Sequence, residues 1–138
     1  MDALLLRKAA SLERCIARVK GKYIGHEVEF DGDLDLQDVI VLNLQRACQL
    51  AIDMALRIGR TRRLALPADT AEMFKILAQA GLIDRALGDS LKRMVGFRNI
   101  AVHEYQELDL AKVRAIIEHR LDDLRAFSTA MIAADPSA

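Results

Sequence analysis

The chain of 138 residues has no tryptophan, two tyrosines and four phenylalanines, so its core must come from Leu, Ile, Val, Ala and Met. Two prolines and seven glycines leave little to interrupt helices. An excess of either charge is also missing: 20 basic residues balance 20 acidic ones, for a formal net charge of +0. That balance argues against a protein that coats nucleic acid electrostatically, because such binding scales with the number of phosphates neutralised. It leaves room for an enzyme that holds a few phosphates in a local cleft. A hydrophobic content of 52% excludes disorder for the body of the chain. The length suits one domain, residues 1–138, burying about two thirds of its unfolded surface.

Further absences narrow the chemistry. Cys15 and Cys48 stand alone on apolar helix faces without CxxC spacing, which reads as two small buried hydrophobes. There is no Gly-rich phosphate loop, since Gly81 and Gly88 fall at a helix break and inside a helix. No His/Cys/carboxylate group has zinc spacing, so no metal and no cofactor is expected. The stretch Asp31-Gly-Asp-Leu-Asp superficially follows a calcium loop, but Leu36 and Leu42 occupy its sixth and twelfth positions, where Gly and Glu are required. It is read as a solvated acidic loop. The opening Met-Asp-Ala-Leu-Leu-Leu-Arg-Lys has an apolar run of four residues before two charges. That is too short for a signal peptide or a membrane span, and a cytoplasmic protein is expected.

What is present is helical periodicity. Leu5, Leu12, Ile16 and Val19 mark a first amphipathic helix over residues 2–22. Asp33 or Asp35 would cap a second, running to about Gly59 with Ile40, Leu44, Ala47, Ala51, Met54 and Ile58 inward. Asp69 would cap a third, which Gly81 stops. A fourth begins near Asp84 and buries Leu87, Leu91, Met94 and Val95, leaving Lys92 and Arg93 toward solvent or a cleft. From Asp109 one last helix carries Val113, Ile117, Leu121, Leu124, Phe127 and Met131, before a frayed tail at residues 135–138. The expected architecture is all-α, an antiparallel bundle of four long helices and one shorter. The best basic patch is Arg57, Arg60, Arg62 and Arg63, read as a solvated helix end, with an RNA track or partner surface as the alternative.

The fourth helix ends in the run Met94-Val-Gly-Phe-Arg-Asn-Ile-Ala-Val-His-Glu-Tyr105, an Arg-x4-His-x-Tyr constellation in a chain with three histidines. A fixed positive charge, a group that titrates near neutral pH and a modifiable hydroxyl thus lie close together. On a helix Asn99 and His103 share a face, and Arg98, Val102 and Tyr105 form a neighbouring stripe. Arg98 and His103 lie roughly 140° apart. The arginine stem must wrap round, or the helix must end near His103 so that a second copy completes the cleft. Both are expected, and with them a homodimer. Spacing alone leaves a simpler reading open: Arg and His in a last turn are stabilised by the helix dipole by ~0.3–1 kcal/mol.

The run resembles the signature of the HEPN superfamily, specifically HepT-type toxins of HEPN–MNT toxin–antitoxin pairs. Gly96, Phe97, Arg98, Asn99, His103 and Tyr105 carry the resemblance. More weakly it extends over nearly the whole helical pattern, including Asn43, Leu44 and Asp53. It implies a small dimeric, metal-independent ribonuclease and, as partner, a minimal nucleotidyltransferase that blocks it by adenylylating the motif tyrosine, Tyr105. Arg98, Asn99 and His103 are then the catalytic candidates, with Tyr105, Arg93 and Lys92 as contacts to an RNA substrate, tRNA or mRNA. His103 would act as general acid/base and Arg98 would pair with the nonbridging phosphate oxygens. Asn99 would fix the histidine tautomer or hold the phosphate. Two other readings stand beside this one: a non-catalytic HEPN module that presents nucleotides to such a nucleotidyltransferase, and a plain dimeric helical adaptor.

Overall fold

A computed structural model describes residues 1–103 and 109–137, with residues 99–103 given as helical backbone alone. The described residues form six α-helices and no strand: α1 (Ala3–Tyr23), α2 (Leu34–Thr61), α3 (Thr70–Gln79), α4 (Arg85–His103), α5 (Leu110–His119) and α6 (Leu121–Ala133). A single 3₁₀ turn, Glu29–Asp31, sits between α1 and α2. The helix starts follow aspartates whose carboxylates accept orphan backbone N–H groups: Asp2, Asp33, Asp69 and Asp109 are N-caps. After α3, Gly81 adopts a left-handed φ of 77°. Its N–H donates to the Ala78 carbonyl at 3.0 Å and that of Leu82 to the Leu77 carbonyl at 3.1 Å, a Schellman closure.

The predicted stripes form the core. Leu5, Leu12 and Ile16 of α1, Ile40 and Leu44 of α2, and Leu124, Phe127 and Met131 of α6 are all 0% exposed. α2 is the central helix, packed against α1, α3, α4 and α6. This explains its composition: it is long and apolar enough to cross a membrane, yet its apolar stripe is buried inside the bundle. Both cysteines are buried, Cys15 on α1 and Cys48 on α2, as expected of small hydrophobes.

Three boundaries differ from the sequence expectation. The last helix is not continuous but breaks at Arg120, whose φ and ψ are −122° and −10°. His119 ends α5 while Asp122 and Asp123 open α6, so each dipole is matched by its own charges. α2 runs past Gly59 to Thr61, and its closure uses Arg63 in a left-handed conformation, φ 54°, with the Leu64 N–H on the Gly59 carbonyl. Gly59 itself is inside the helix, where an added Cβ would come within 2.8 Å of Met73 Cε.

The third difference is the tail, of which residues 135–137 are held rather than frayed. Asp135 is only 6% exposed, and its carboxylate accepts from the Asp2 N–H at 2.8 Å and from Ser137. The Met1 ammonium donates to the Ser137 carbonyl at 3.0 Å. Arg57 pairs with Asp2, and Arg62 donates to the Ala134 carbonyl at 3.1 Å. Two members of the basic cluster therefore fasten both chain ends to the end of α2. The Arg57 hydrogen bond holds the Asp2 carboxyl below its ordinary value of 3.8. The Asp2 N–H, with Ser137, does the same for Asp135. Because both folded values are lowered, the clasp contributes fully above the ordinary aspartate range and is lost as pH falls through the lower, folded values. Asp2→Asn should therefore flatten the acid side of a melting-temperature profile taken from about pH 6 to about pH 2.

Candidate functional site

Arg98 lies in the latter part of α4 and is half-buried against α2. Its Nη2 donates to Gln49 Oε1 at 2.7 Å. Gln49 Nε2 donates in turn to Asp53 Oδ1 at 2.9 Å, a pair one helical turn apart on α2. The other carboxylate oxygen, Oδ2, accepts from Lys8 Nζ of α1 at 3.2 Å. Three helices thus converge on one guanidinium. Nearby, the Cys48 thiol is pushed up to about 12 by burial, an effect that Arg98 only partly opposes. It stays protonated and unreactive at neutral pH.

Sequence reasoning did not find Gln49 or Lys8. The available signal was the Gln49-x3-Asp53 pair on an otherwise apolar helix. Of the two polar α2 residues it did single out, Asp53 reaches Arg98 through Gln49. Asn43 is buried and donates to the Val39 carbonyl of its own helix at 2.8 Å.

The remaining candidates fall around α4. Its helical backbone runs to His103, so the four-residue register between Asn99 and His103 holds. The side chains of Asn99 and His103, and all of Tyr105, lie outside the described residues. Lys92 and Arg93 are exposed and point into separate grooves. Lys92 lines one of about 680 Å³ between α3 and α4. Arg93 lines another of about 490 Å³ between α4 and α5, where Lys112 and Arg120 add positive charge over a floor of Met94, Phe97 and Ile116.

α5 is fixed from its other side by Arg114. Its guanidinium lies 5.6 Å and 5.3 Å from the ring centroids of Tyr23 and Phe30. It donates to Tyr23 Oη and to Asp31 Oδ1, each at 2.8 Å. Tyr23 Oη donates to Glu118 Oε1 at 2.8 Å, and burial followed by Glu118 raises its pKa. The acidic loop read as solvated is thus anchored through Asp31. Among the described residues, no three His, Cys, Asp or Glu side chains gather as a metal-ligand set.

Fold and site define a class: a small all-helical protein with a braced guanidinium near the end of a helix that packs on the central one. The model of the ribonuclease HepT-like family matches residues 12–131. The chain is 44% identical over 127 residues to the mRNA nuclease HepT of Shewanella oneidensis, covering 92% of this chain and 95% of that protein. It superposes with a TM-score of 0.90 on the tri-AMPylated Shewanella oneidensis HEPN toxin solved in complex with MNT antitoxin, at 43% identity over 96% of this chain and 99% of that one. A toxin–antitoxin structure with AMP-PNP gives a TM-score of 0.91 at 42% identity, with 96% and 99% coverage. The chain belongs to the ribonuclease HepT-like family. The expected membership of the HepT-type HEPN group is borne out.

Proposed function

We propose that this protein is a metal-independent endoribonuclease toxin of the cytosol, active as a homodimer, with Arg98 and His103 at the reacting phosphate. The observation that carries the reading is Arg98 itself. A half-buried guanidinium with an uncharged amide among its acceptors is a positioned cationic fork, suited to nonbridging phosphate oxygens as charge builds there. His103 takes the proton of the ribose 2′-hydroxyl, whose oxygen forms a new bond to the adjacent phosphorus. The bond to the 5′ oxygen breaks, and an imidazole (the same one or its copy in the second subunit) returns a proton to that leaving group. The products are a 2′,3′-cyclic phosphate and a 5′-hydroxyl. Asn99 orients the imidazole or holds the phosphate. Tyr105 donates to the substrate, while Lys92 and Arg93 contact the strand on either side of α4.

The dimer offsets the neutral overall charge by placing two motifs about one two-fold axis. A minimal nucleotidyltransferase antitoxin silences the toxin by adenylylating Tyr105. The added phosphodiester, two residues from His103 in sequence, would occupy the place of the substrate phosphate. The solved relatives support this part: one is a tri-AMPylated toxin bound to MNT antitoxin.

The deciding experiment incubates purified wild type and His103→Ala with an mRNA transcript in EDTA. Wild type should cut it to cyclic-phosphate ends, His103→Ala should be slower by about 10²–10⁴-fold, and Tyr105-adenylylated protein should be inactive. Cleavage by His103→Ala at the wild-type rate would remove His103 from the reaction, and no cleavage by wild type would leave a phosphate-binding module as the better account.

A further inference from the structure

We infer that Gln49 is the positioning residue for Arg98, an uncharged anchor that orients the guanidinium without cancelling its charge, and that Asp53 and Lys8 lock that anchor in one orientation. The inference rests on the reading of Arg98 as the phosphate-binding group. Its basis is the polarity of the chain Arg98–Gln49–Asp53–Lys8. A guanidinium only donates and a carboxylate only accepts, so an amide between them has one satisfied orientation: oxygen to Arg98, nitrogen to Asp53. Flipping it would break both bonds and set oxygen against oxygen.

Lys8 completes the arrangement by pairing with the other oxygen of Asp53, at 3.2 Å. The Asp53 charge is thereby matched by Lys8 and kept one side chain away from Arg98. A glutamate at position 49 would reach the guanidinium equally well, but its carboxylate would compete with an incoming phosphate for the same fork. It would also face Asp53 as a like charge. An apolar residue of the same length would leave the space filled and Arg98 without this acceptor. At this contact the neutral amide holds the arginine without neutralising it.

Two full-length variants test this, compared with wild type on the same mRNA transcript and by ¹⁵N NMR of the Arg98 guanidinium, assigned by its loss in Arg98→Lys. In wild type the anchored Nη groups should rotate slowly and give separate signals. Gln49→Met should merge them and lower kcat by about ten- to a hundredfold with little change in KM, the cost of a misplaced group. Gln49→Glu should keep the separate signals yet raise KM about tenfold. A purely structural glutamine would shift the melting temperature of both variants and leave the spectra and the kcat-against-KM split as in wild type, which overturns the inference. Wild-type activity in Gln49→Glu overturns the need for a neutral acceptor. If wild type cuts no RNA, the proposed function fails by itself, and the guanidinium spectra still decide for or against anchoring by Gln49.

Discussion

Arg98→Ala should slow RNA cleavage by about a hundred- to a thousandfold while leaving the bundle folded, the loss typical of removing one preorganised donor from a developing oxyanion. The fold is expected to survive because Arg98 is only half-buried and one of its acceptors, Gln49, retains its bond to Asp53. Losing one hydrogen bond to a charged group costs about 1.5–3 kcal/mol where it is buried, and less where water can replace the donor. Arg98→Lys makes the sharper comparison. It keeps the charge but not the planar fork, so a large rate loss there would show that bidentate geometry matters beyond positive potential. Single-turnover cleavage at saturating enzyme, with melting temperature measured in parallel, separates chemistry from unfolding. A loss of less than about threefold in Arg98→Ala would remove the arginine from the transition state.

The largest effect on stability should come from Phe127→Ala, which is expected to cost about 3–5 kcal/mol. With four phenylalanines and no tryptophan, each aromatic side chain fills volume that the aliphatic core cannot easily replace. Phe127 of α6 is 0% exposed and meets Phe74 of α3 edge to face, with centroids 5.5 Å apart and planes at 71°. Truncation would lose the transfer of the ring, leave a cavity between two helices and end an aromatic contact of about 0.5–1.5 kcal/mol. A domain of this size is typically stable by about 5–15 kcal/mol, so the variant would unfold well below the wild-type denaturant midpoint. Urea titrations at one fixed protein concentration measure it, so that any self-association contributes equally to both proteins. A shift below about 1 kcal/mol would mean that the neighbouring side chains collapse into the gap.

The helices were legible because their cause is local. Apolar residues at three- and four-residue steps, aspartates before the first turn and Gly81 after α3 act over one or two turns, and all of them are where the periodicity put them. The split at Arg120 was missed because the apolar stripe runs straight through it. The charge reversal from His119 to Asp122 and Asp123 was the overlooked sign. Contacts between distant positions leave no local trace. Asp2 and Asp135 are 133 residues apart in sequence and Arg98 and Gln49 are 49 apart, so neither pairing could be read from spacing. Arg98 itself was found because its motif is compact, whereas the residues that hold it are spread over α1 and α2.

Cys48, next to Gln49 in sequence, has its thiol protonated and is 2% exposed, and Cys15 is buried at 8% on α1. An alkylating reagent can reach the first only when α2 parts from its neighbours. The protein therefore contains its own chemical clock for native-state breathing. The rate at which Cys48 becomes labelled measures how often α2 opens beside the Arg98 anchor Gln49, with no probe introduced.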